Sequence, residues 1–292
     1  MISELLEQLL NGLLVGSSYA LIALGLTLTY GVMGIVNFAH GEIYMVGAYL
    51  AFVFVVSFHI NYLLALPLVF VMGLLIGPLV NNLIFEPGRR HQKINTLITS
   101  LGLSIVLSNL ALLTFGAAPL FLRTPFSETV VSISGLMFST QRLFVFVLAF
   151  LLLTAVWLCL RKTRVGRAIR AVSENEQAAA FAGIPSRRIR NVTMAVSAGL
   201  AATAGALFAP LFVINPFIGN LAGLKAFAVV VVGGFGNIQG TLLAALLLGV
   251  VESLATGYVS SAYRDAIAFV ILLVVLIVRP KGIIEETSAT SL

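Results

Sequence analysis

The sequence contains few charged residues and a single cysteine. Only 10% of its 292 residues are charged and 60% are hydrophobic, whereas an average soluble domain has about a quarter of its residues charged. This shortage of charge excludes a soluble domain of ordinary composition. Because Cys159 stands alone, neither a disulfide within the chain nor a cysteine metal cluster can form. Cys159 lies in an apolar run, which predicts a small buried side chain.

Nucleotide- and metal-binding patterns are also absent from the sequence. Gly234, Gly236 and Gly240 have the wrong last spacing for a dinucleotide-binding fingerprint, and there is no Gly-Lys-Ser/Thr for a phosphate-binding loop. His40 and Glu42 are too few ligands for a metal site. The sequence also lacks the paired carboxylates or the Ser/His arrangement that would indicate an intramembrane enzyme. We therefore expect no cofactor, no metal and no catalytic residue in this chain.

Long uncharged stretches occupy most of the chain, and about 18 or more apolar residues in a row are typical of a membrane span. The sequence predicts an all-α polytopic membrane protein, a single domain over residues 1–292, with about nine spans. Two of the segments are short, so the number could be eight to ten. The predicted spans are 8–30, 43–58, 62–85, 94–115, 142–160, 192–214, 219–236, 238–258 and 262–279.

Basic residues cluster in three patches between the predicted spans. The patches lie near residue 90, in the loop 161–191 and after residue 278, and they hold thirteen of the seventeen lysines and arginines. Because basic loops remain in the cytoplasm, the N-terminus is expected outside and the C-terminus inside. The same rule explains the net charge of +6 without nucleic acid. The loop 116–141 is then outside, with a β-like stretch at 129–133.

The basic loop 161–191 contains the pattern of one short helix. Ser173 and Glu176 fit a capping box, alanines follow, and Gly183 suits the residue that ends a helix. We expect a helix over about 174–182, which is too short to be stable alone in water. It is therefore predicted to dock on a soluble partner. The alternative is a solvated loop whose charges only set the topology.

Two stretches, beginning at Asn37 and at Asn215, share an asparagine followed by glycines at similar spacing. Gly/Pro-interrupted segments in corresponding places of two oppositely oriented halves indicate an inverted repeat around a central pathway. We expect the half-repeats to cover about 8–116 and 191–280. Chance similarity between glycine-rich membrane segments is the alternative. Gly12 and Gly16 form a GxxxG pair, which predicts a packing face.

Asn37, His40, Gly41 and Glu42 lie between two predicted spans. An ionisable group at membrane depth costs ~2.5–3.5 kcal/mol on insertion scales, so it usually faces a cavity or a partner. We predict that this segment lines or gates a transport pathway. An ordinary cytoplasmic turn with a polar tip is the alternative.

Asn215 and Lys225 are the corresponding candidates in the second half, and Glu252 lies inside another apolar span. Lys225 and Glu252 are pathway candidates. They could equally pair with a second subunit or extend their side chains to the interface. The sequence does not decide whether Glu252 faces the pathway.

Three stretches together resemble the branched-chain amino acid ABC transporter permease family, in its shorter, LivH-type subunit. They are residues 12–50, beginning GLLVGSSYALIALG and including Asn-Phe-Ala-His-Gly-Glu, the GRAIRA segment from residue 166, and residues 215–240. The resemblance covers nearly the whole chain. It implies a permease subunit in the inner membrane of a bacterium or archaeon.

The resemblance also implies a mechanism and partners. Such permeases import small amino acids, mostly Leu, Ile and Val, by ATP-driven alternating access. They pair with a second, usually longer permease, two cytosolic ATPases that use ATP and magnesium, and a periplasmic or lipid-anchored binding protein. The helix near 174–182 resembles the family's coupling helix. The expected ATPase-coupling residues are Ser173, Glu174, Glu176, Ala179, Ala180 and Gly183.

Two alternatives to this function remain open. Relatives with the same signature import urea, amides or other small polar solutes, so the exact cargo is undecided. A secondary transporter that works without ATP would share the predicted symmetry. The sequence also does not decide between an identical and a different permease partner.

Overall fold

The structure is a computed structural model of the chain, and it describes residues 2–89, 93–127, 129–133, 136–258, 260, 263–279 and 282–283. Those residues form twelve α-helices. The helices are α1 (Ile2–Met33), α2 (His40–Phe52), α3 (Tyr62–Val80), α4 (Glu86–Arg89), α5 (Lys93–Phe115), α6 (Thr140–Lys162), α7 (Arg164–Glu174), α8 (Glu176–Phe181), α9 (Ser186–Phe208), α10 (Ile218–Gly233), α11 (Ile238–Tyr258) and α12 (Arg264–Val278). Two π-helical turns, Val53–Ser57 and Asn81–Phe85, continue α2 and α3.

Each of the nine predicted spans corresponds to a helix, so the chain is a multi-pass membrane protein. In the described residues seven helical segments are long and apolar enough to cross a bilayer, and α10 and α12 are shorter apolar helices. The largest difference concerns the predicted span 192–214. Helix α9 begins six residues earlier because Pro185 at its N-cap starts it, and it ends at Phe208, just before Pro210. The predicted span 219–236 ends early, at Gly233, because Gly234 has φ of 102°.

Glycines allow the longest helices to pack closely. A Cβ atom on Gly12 would lie 2.5 Å from Cα of Val250, and one on Gly16 would lie 2.9 Å from the carbonyl oxygen of Ala245. Both contacts join α1 to α11, which confirms the predicted packing face. Gly73 brings α3 against α9 in the same way, since its Cβ would lie 2.7 Å from the carbonyl oxygen of Ala198. Backbone contact of this kind drives helix association in lipid, where apolar burial alone does not.

The helices of the two predicted half-repeats pack reciprocally. Helix α1, the first of one half, runs along α11, the third long helix of the other half, and α9 runs along α3 in the same relation. Helix α2 packs against α9 as α10 packs against α1, and α2 and α10 contact each other. This is the set of contacts expected when two halves are related by a two-fold axis.

A small hairpin connects α5 to α6. Strands β1 (Val130–Ile133) and β2 (Leu136–Ser139) pair antiparallel, with Val130 opposite Ser139. The predicted β-like stretch 129–133 therefore contains a strand, and all other regular elements among the described residues are helical.

Cys159 lies on the exposed surface of α6, so the prediction of a buried thiol is wrong. The prediction failed because a membrane protein is surrounded by lipid and not by water alone. Helix α6 is highly apolar, yet most of its surface faces away from the protein, because lipid accepts apolar side chains as readily as a protein core does.

Candidate functional site

The polar segment after α1 is folded into the protein core. Helix α1 ends at Met33, Gly34 adopts a φ of 65°, and the chain turns back. Oδ1 of Asn37 then accepts a hydrogen bond from the backbone N of Ala39 at 3.0 Å, and α2 begins at His40. Asn37 is 2% exposed and His40 is 1% exposed. Such burial disfavours the alternative of a solvated turn with a polar tip.

His40 and Glu42 contact different neighbours in the first turn of α2. Nε2 of His40 lies 3.0 Å from the carbonyl oxygen of Ile22, which accepts its hydrogen. Gly25 leaves room for the imidazole, because a Cβ at that position would lie 3.0 Å from Nε2. On the other side, the hydroxyl of Ser108 donates to Oε1 of Glu42 at 3.2 Å. His40 therefore attaches α2 to α1, and Glu42 attaches it to α5.

The starts of α2 and α10 touch. A Cβ on Gly219 would lie 2.6 Å from the carbonyl oxygen of Gly41, and one on Gly41 would lie 2.8 Å from Cα of Gly223. The turn before α10 repeats the turn before α2, because Oδ1 of Asn215 accepts from the backbone N of Phe217 at 2.9 Å. Asn37 and Asn215 thus hold two equivalent helix starts, and the glycine four residues after each asparagine contacts the other helix.

A cavity of about 230 Å³ lies beside this meeting point. Asn37 and Ser104 contribute polar groups from the α1–α2 turn and from α5, and Asn220 contributes one from α10. The remaining walls are mainly apolar, including Leu26 and Phe227. The cavity is small for a ligand site, since pockets for drug-sized molecules measure about 300–1,000 Å³. Its size and mixed lining suit a small amphiphilic solute.

Lys225 does not line this cavity, and acidic residues of the chain bind its side chain. Its Nζ lies 3.0 Å from Oε1 of Glu252 and 2.7 Å from Oδ1 of Asp265. It also donates to the hydroxyl of Tyr19 at 2.9 Å, and that hydroxyl donates to Oε2 of Glu252 at 2.7 Å. These contacts join α1, α10, α11 and α12, and they give both buried charges a partner without a second subunit.

The short helix in the basic loop has a different start from the predicted one. Ser173 lies inside α7, where its hydroxyl donates to the carbonyl of Arg170 at 2.9 Å. The N-cap of α8 is Asn175, whose Oδ1 accepts from the backbone N of Ala178 at 2.9 Å. The Ser173–Glu176 capping box is therefore wrong, because an asparagine two residues later caps the helix instead. The helix is also shorter than 174–182.

The predicted end of α8 is confirmed. Gly183 has φ of 82°, and its backbone N donates to the carbonyl of Ala180 at 3.0 Å. The backbone N of Ile184 donates to the carbonyl of Ala179, also at 3.0 Å. These two bonds form a Schellman motif, which requires the left-handed conformation that glycine adopts easily.

The predicted coupling residues lie on two faces of α8 and its flanks. Ser173, Glu174, Ala180 and Gly183 are exposed, whereas Ala179 is buried against the chain itself. In this arrangement Ala179 holds α8 to the protein and does not present its side chain to a partner. Sequence reasoning missed Phe181, which is 94% exposed. The only signal was a large apolar residue inside a polar loop.

Arg190 was also missed, because it is one of many arginines in the basic loop. On α9, its Nε lies 2.6 Å from Oε1 of Glu86, at the start of α4. Its Nη1 pairs with Oε1 of Glu176 on α8. Arg190 therefore connects the short exposed helix to two elements of the core bundle.

Comparisons with known proteins agree with this architecture. Residues 8–276 match a protein family described as the permease component of the branched-chain amino acid transport system. The high-affinity branched-chain amino acid transport system permease protein BraD of Pseudomonas aeruginosa is 38% identical, covering 96% of this chain and 95% of that protein. The high-affinity branched-chain amino acid transport system permease protein LivH of Salmonella typhimurium is 36% identical with the same coverage. The ribose import permease protein RbsC of Escherichia coli is 30% identical, covering 94% of this chain and 86% of that protein.

Proposed function

This chain belongs to the family of branched-chain amino acid transport permeases, and we propose that it is the membrane-embedded subunit of an ATP-driven amino acid importer. Leu, Ile and Val are the expected cargo, in keeping with the relatives BraD and LivH. The observation that carries the proposal is the meeting of two broken helices, α2 and α10, inside the bundle. Interrupted helices at membrane depth are tolerated only where protein or a cavity covers them, and they mark transport sites.

The pathway is proposed to run past the starts of α2 and α10. Asn37, His40, Gly41 and Glu42 line or gate it from the first half, and Asn215 from the second. The half-repeats 8–116 and 191–280 rock about this point, which exposes it to one side of the membrane and then to the other. The reciprocal contacts of α1 with α11 and of α9 with α3 are those expected of two halves related by a two-fold axis, which this proposal requires. Lys225 is the other proposed pathway residue of the second half, and its ion pair with Glu252 fixes its position on α10.

The loop 161–191 is proposed to receive the force of ATP hydrolysis. Phe181 is the exposed apolar anchor of α8, and an anchor of this kind suits a pocket on a partner protein. Arg190 links α8 to α9 and to Glu86. A push on α8 therefore has a direct ionic connection to α9, which packs against α1, α2 and α3.

Four further proposals follow from family membership. The chain pairs with a second permease subunit, whose sequence is identical or, as we expect, longer. Two cytosolic ATPases supply hydrolysis, using ATP and magnesium. A periplasmic or lipid-anchored binding protein delivers the cargo. The assembly lies in the inner membrane of a bacterium or archaeon.

Uptake by proteoliposomes distinguishes this function from a secondary transporter. The chain is co-expressed and reconstituted with the proposed permease, ATPase and binding-protein partners, and leucine uptake is measured with ATP or with a non-hydrolysable analogue inside the vesicles. We expect uptake only with hydrolysable ATP and no effect of collapsing the ion gradients. Gradient-driven uptake without ATP would contradict the proposal.

A second cargo class has one specific observation in its favour, the similarity to the ribose import permease RbsC. The same proteoliposomes separate the possibilities when unlabelled valine, ribose, urea and amides compete with leucine. Competition by valine alone supports the amino acid assignment. Faster uptake of ribose, urea or an amide than of leucine would replace it.

A further inference from the structure

Two glutamates in the described residues are almost completely buried, but they differ in their partners. Glu252, 0% exposed, has Nζ of Lys225 at 3.0 Å. Glu42, 1% exposed, has a hydrogen bond from the Ser108 hydroxyl. Across the part of the chain that the structure describes, no lysine or arginine lies within ion-pair distance of Glu42. A buried carboxylate without a counter-charge is costly.

Glu42 lies near a cavity that could admit a cation from outside the chain. Ser108 is one helical turn after Ser104, and Ser104 lines the 230 Å³ cavity at the meeting of α2 and α10. Ser104 and Ser108 share one face of α5, and that face contacts the Glu42 carboxylate. A positively charged group that enters the cavity beside Ser104 would therefore lie along the face of α5 that contacts Glu42.

Asn37 supplies the opposite kind of group at the same cavity. Its Oδ1 is occupied by the backbone N of Ala39, but its buried Nδ2 has no acceptor among the described residues. The N-terminal ends of α2 and α10, which favour negative charge, converge beside it. A carboxylate fits this side of the cavity, as it fits the half-helix ends of other transporters.

We infer that the cavity is a transit site for a zwitterionic α-amino acid, in which Glu42 receives the ammonium group and Asn37 with the helix ends receives the carboxylate. The aliphatic side chain lies against Leu26, Leu101 and Phe227. The inference rests on the proposed function and adds the recognition chemistry. A permease that binds both the ammonium and the carboxylate group would reject solutes that lack the amino group, independently of the binding protein.

The test uses the complete permease–ATPase complex in lipid nanodiscs, without the binding protein. Equilibrium binding of radiolabelled leucine is measured for the unaltered complex, for Glu42→Gln, and for Glu7→Gln, an exposed glutamate at the start of α1. Glu42→Gln retains shape and the hydrogen bond from Ser108 but removes the charge. We expect a loss of affinity of roughly tenfold to a hundredfold, the range of a hydrogen bond to a charged group. Glu7→Gln is expected to bind as the unaltered complex does.

A second ligand tests the ammonium directly. 4-Methylpentanoate has the carbon skeleton and carboxylate of leucine without the amino group. It is expected to compete poorly in the unaltered complex, and Glu42→Gln is expected to narrow the difference between the two ligands. Equal competition by both ligands in the unaltered complex, or unchanged leucine affinity in Glu42→Gln, would overturn the inference.

Assembly is followed in the same samples by co-elution with the ATPases. If Glu42→Gln fails to assemble, Ser104→Ala replaces it, with weaker leucine binding expected and unchanged binding contradicting the inference. The proposed function is judged separately, by ATP-driven leucine uptake of the unaltered transporter. If the unaltered transporter and Glu42→Gln both show normal ATP-driven leucine uptake, the inference is wrong and the proposed function is supported.

Discussion

Single glycines set the distances between helices at the centre of this protein. Gly41 and Gly219 bring the starts of α2 and α10 into backbone contact. Further along α2, Gly205 of α9 contacts the backbone of Tyr44, and Gly47 contacts the backbone of Ala202. Glycine is used here for its missing Cβ, because every one of these contacts is with backbone that no side-chain rotation can move aside.

Gly41→Ala is therefore expected to destabilise the permease and to reduce uptake. The added Cβ would lie 2.8 Å from Cα of Gly223 and closer still to the carbonyl oxygen of Gly219. Overpacking of this kind costs about 1–3 kcal/mol, which thermal unfolding of the purified complex measures. Gly102→Ala is the matched control on α5, because a Cβ there has nothing within 4 Å. Equal melting temperatures for the two variants would show that α2 and α10 separate freely.

Residue identity predicted part of the candidate site. The cost of polar groups at membrane depth marked Asn37, His40 and Glu42, and all three are buried. The pairing of Lys225 with Glu252 could not be predicted, because the two residues lie on different helices and a contact between helices depends on how they pack. The sequence identified Lys225 and Glu252 as unusual charged residues in apolar helices, but it did not predict that they pair with each other.

Helix α8 depends on contacts with the rest of the protein for its stability. Its six residues, Glu176–Phe181, are too few to form a stable helix in water. Three things hold it in place: the Asn175 cap, the buried side chain of Ala179 and the Glu176–Arg190 ion pair. The chain thus fixes a helix whose largest apolar side chain, Phe181, points away from it.

Phe181→Ser is expected to weaken co-purification of the ATPases while insertion in the membrane stays normal. An apolar anchor in a partner's pocket typically contributes about 2 kcal/mol or more, so the retained ATPase should fall roughly tenfold or more in a stringent wash. Phe121→Ser is the control, since Phe121 is 65% exposed in the loop predicted to lie on the other side of the membrane. ATPase retention equal to that of the control would remove Phe181 from the docking surface.

At the scale of elements, hydropathy predicted where helices occur better than where they end. The short predicted segment 43–58 belongs to one helical unit, His40–Ser57, which is long and apolar enough to cross a bilayer because a π-helical turn prolongs α2. Caps depend on single side chains, so the choice of Asn175 over Ser173 was decided by local geometry that several polar residues in a row leave open. The glycine end at Gly183 was predicted correctly, whereas the helix boundaries that Pro185 and Gly234 set were each misplaced by several residues.

At the scale of the whole molecule, the apolar helices indicate that lipid is the solvent around the flanks of this protein. In lipid, apolar residues cover both the outer surface and the core, so hydropathy does not separate the two. For this reason the sequence predicted a buried side chain for Cys159, which lies on the protein surface. For the same reason hydropathy did not predict that α1 packs against α11. Glycine spacing carried the information that hydropathy lacked, since Gly12 and Gly16 lie on that interface.

The predicted orientation is testable because the chain has one cysteine. Cys159→Ser gives a cysteine-free background at an exposed site, where a small polar replacement costs little. Ser173→Cys then reports on the basic loop, and Ala117→Cys on the segment before the hairpin; both positions are exposed. The excess of lysine and arginine in the loop 161–191 predicts that it stays in the cytoplasm. In sealed right-side-out vesicles, a membrane-impermeant maleimide should therefore label Ala117→Cys at once and Ser173→Cys only after permeabilisation. Immediate labelling of Ser173→Cys would place α8 outside, where no cytosolic ATPase could reach Phe181.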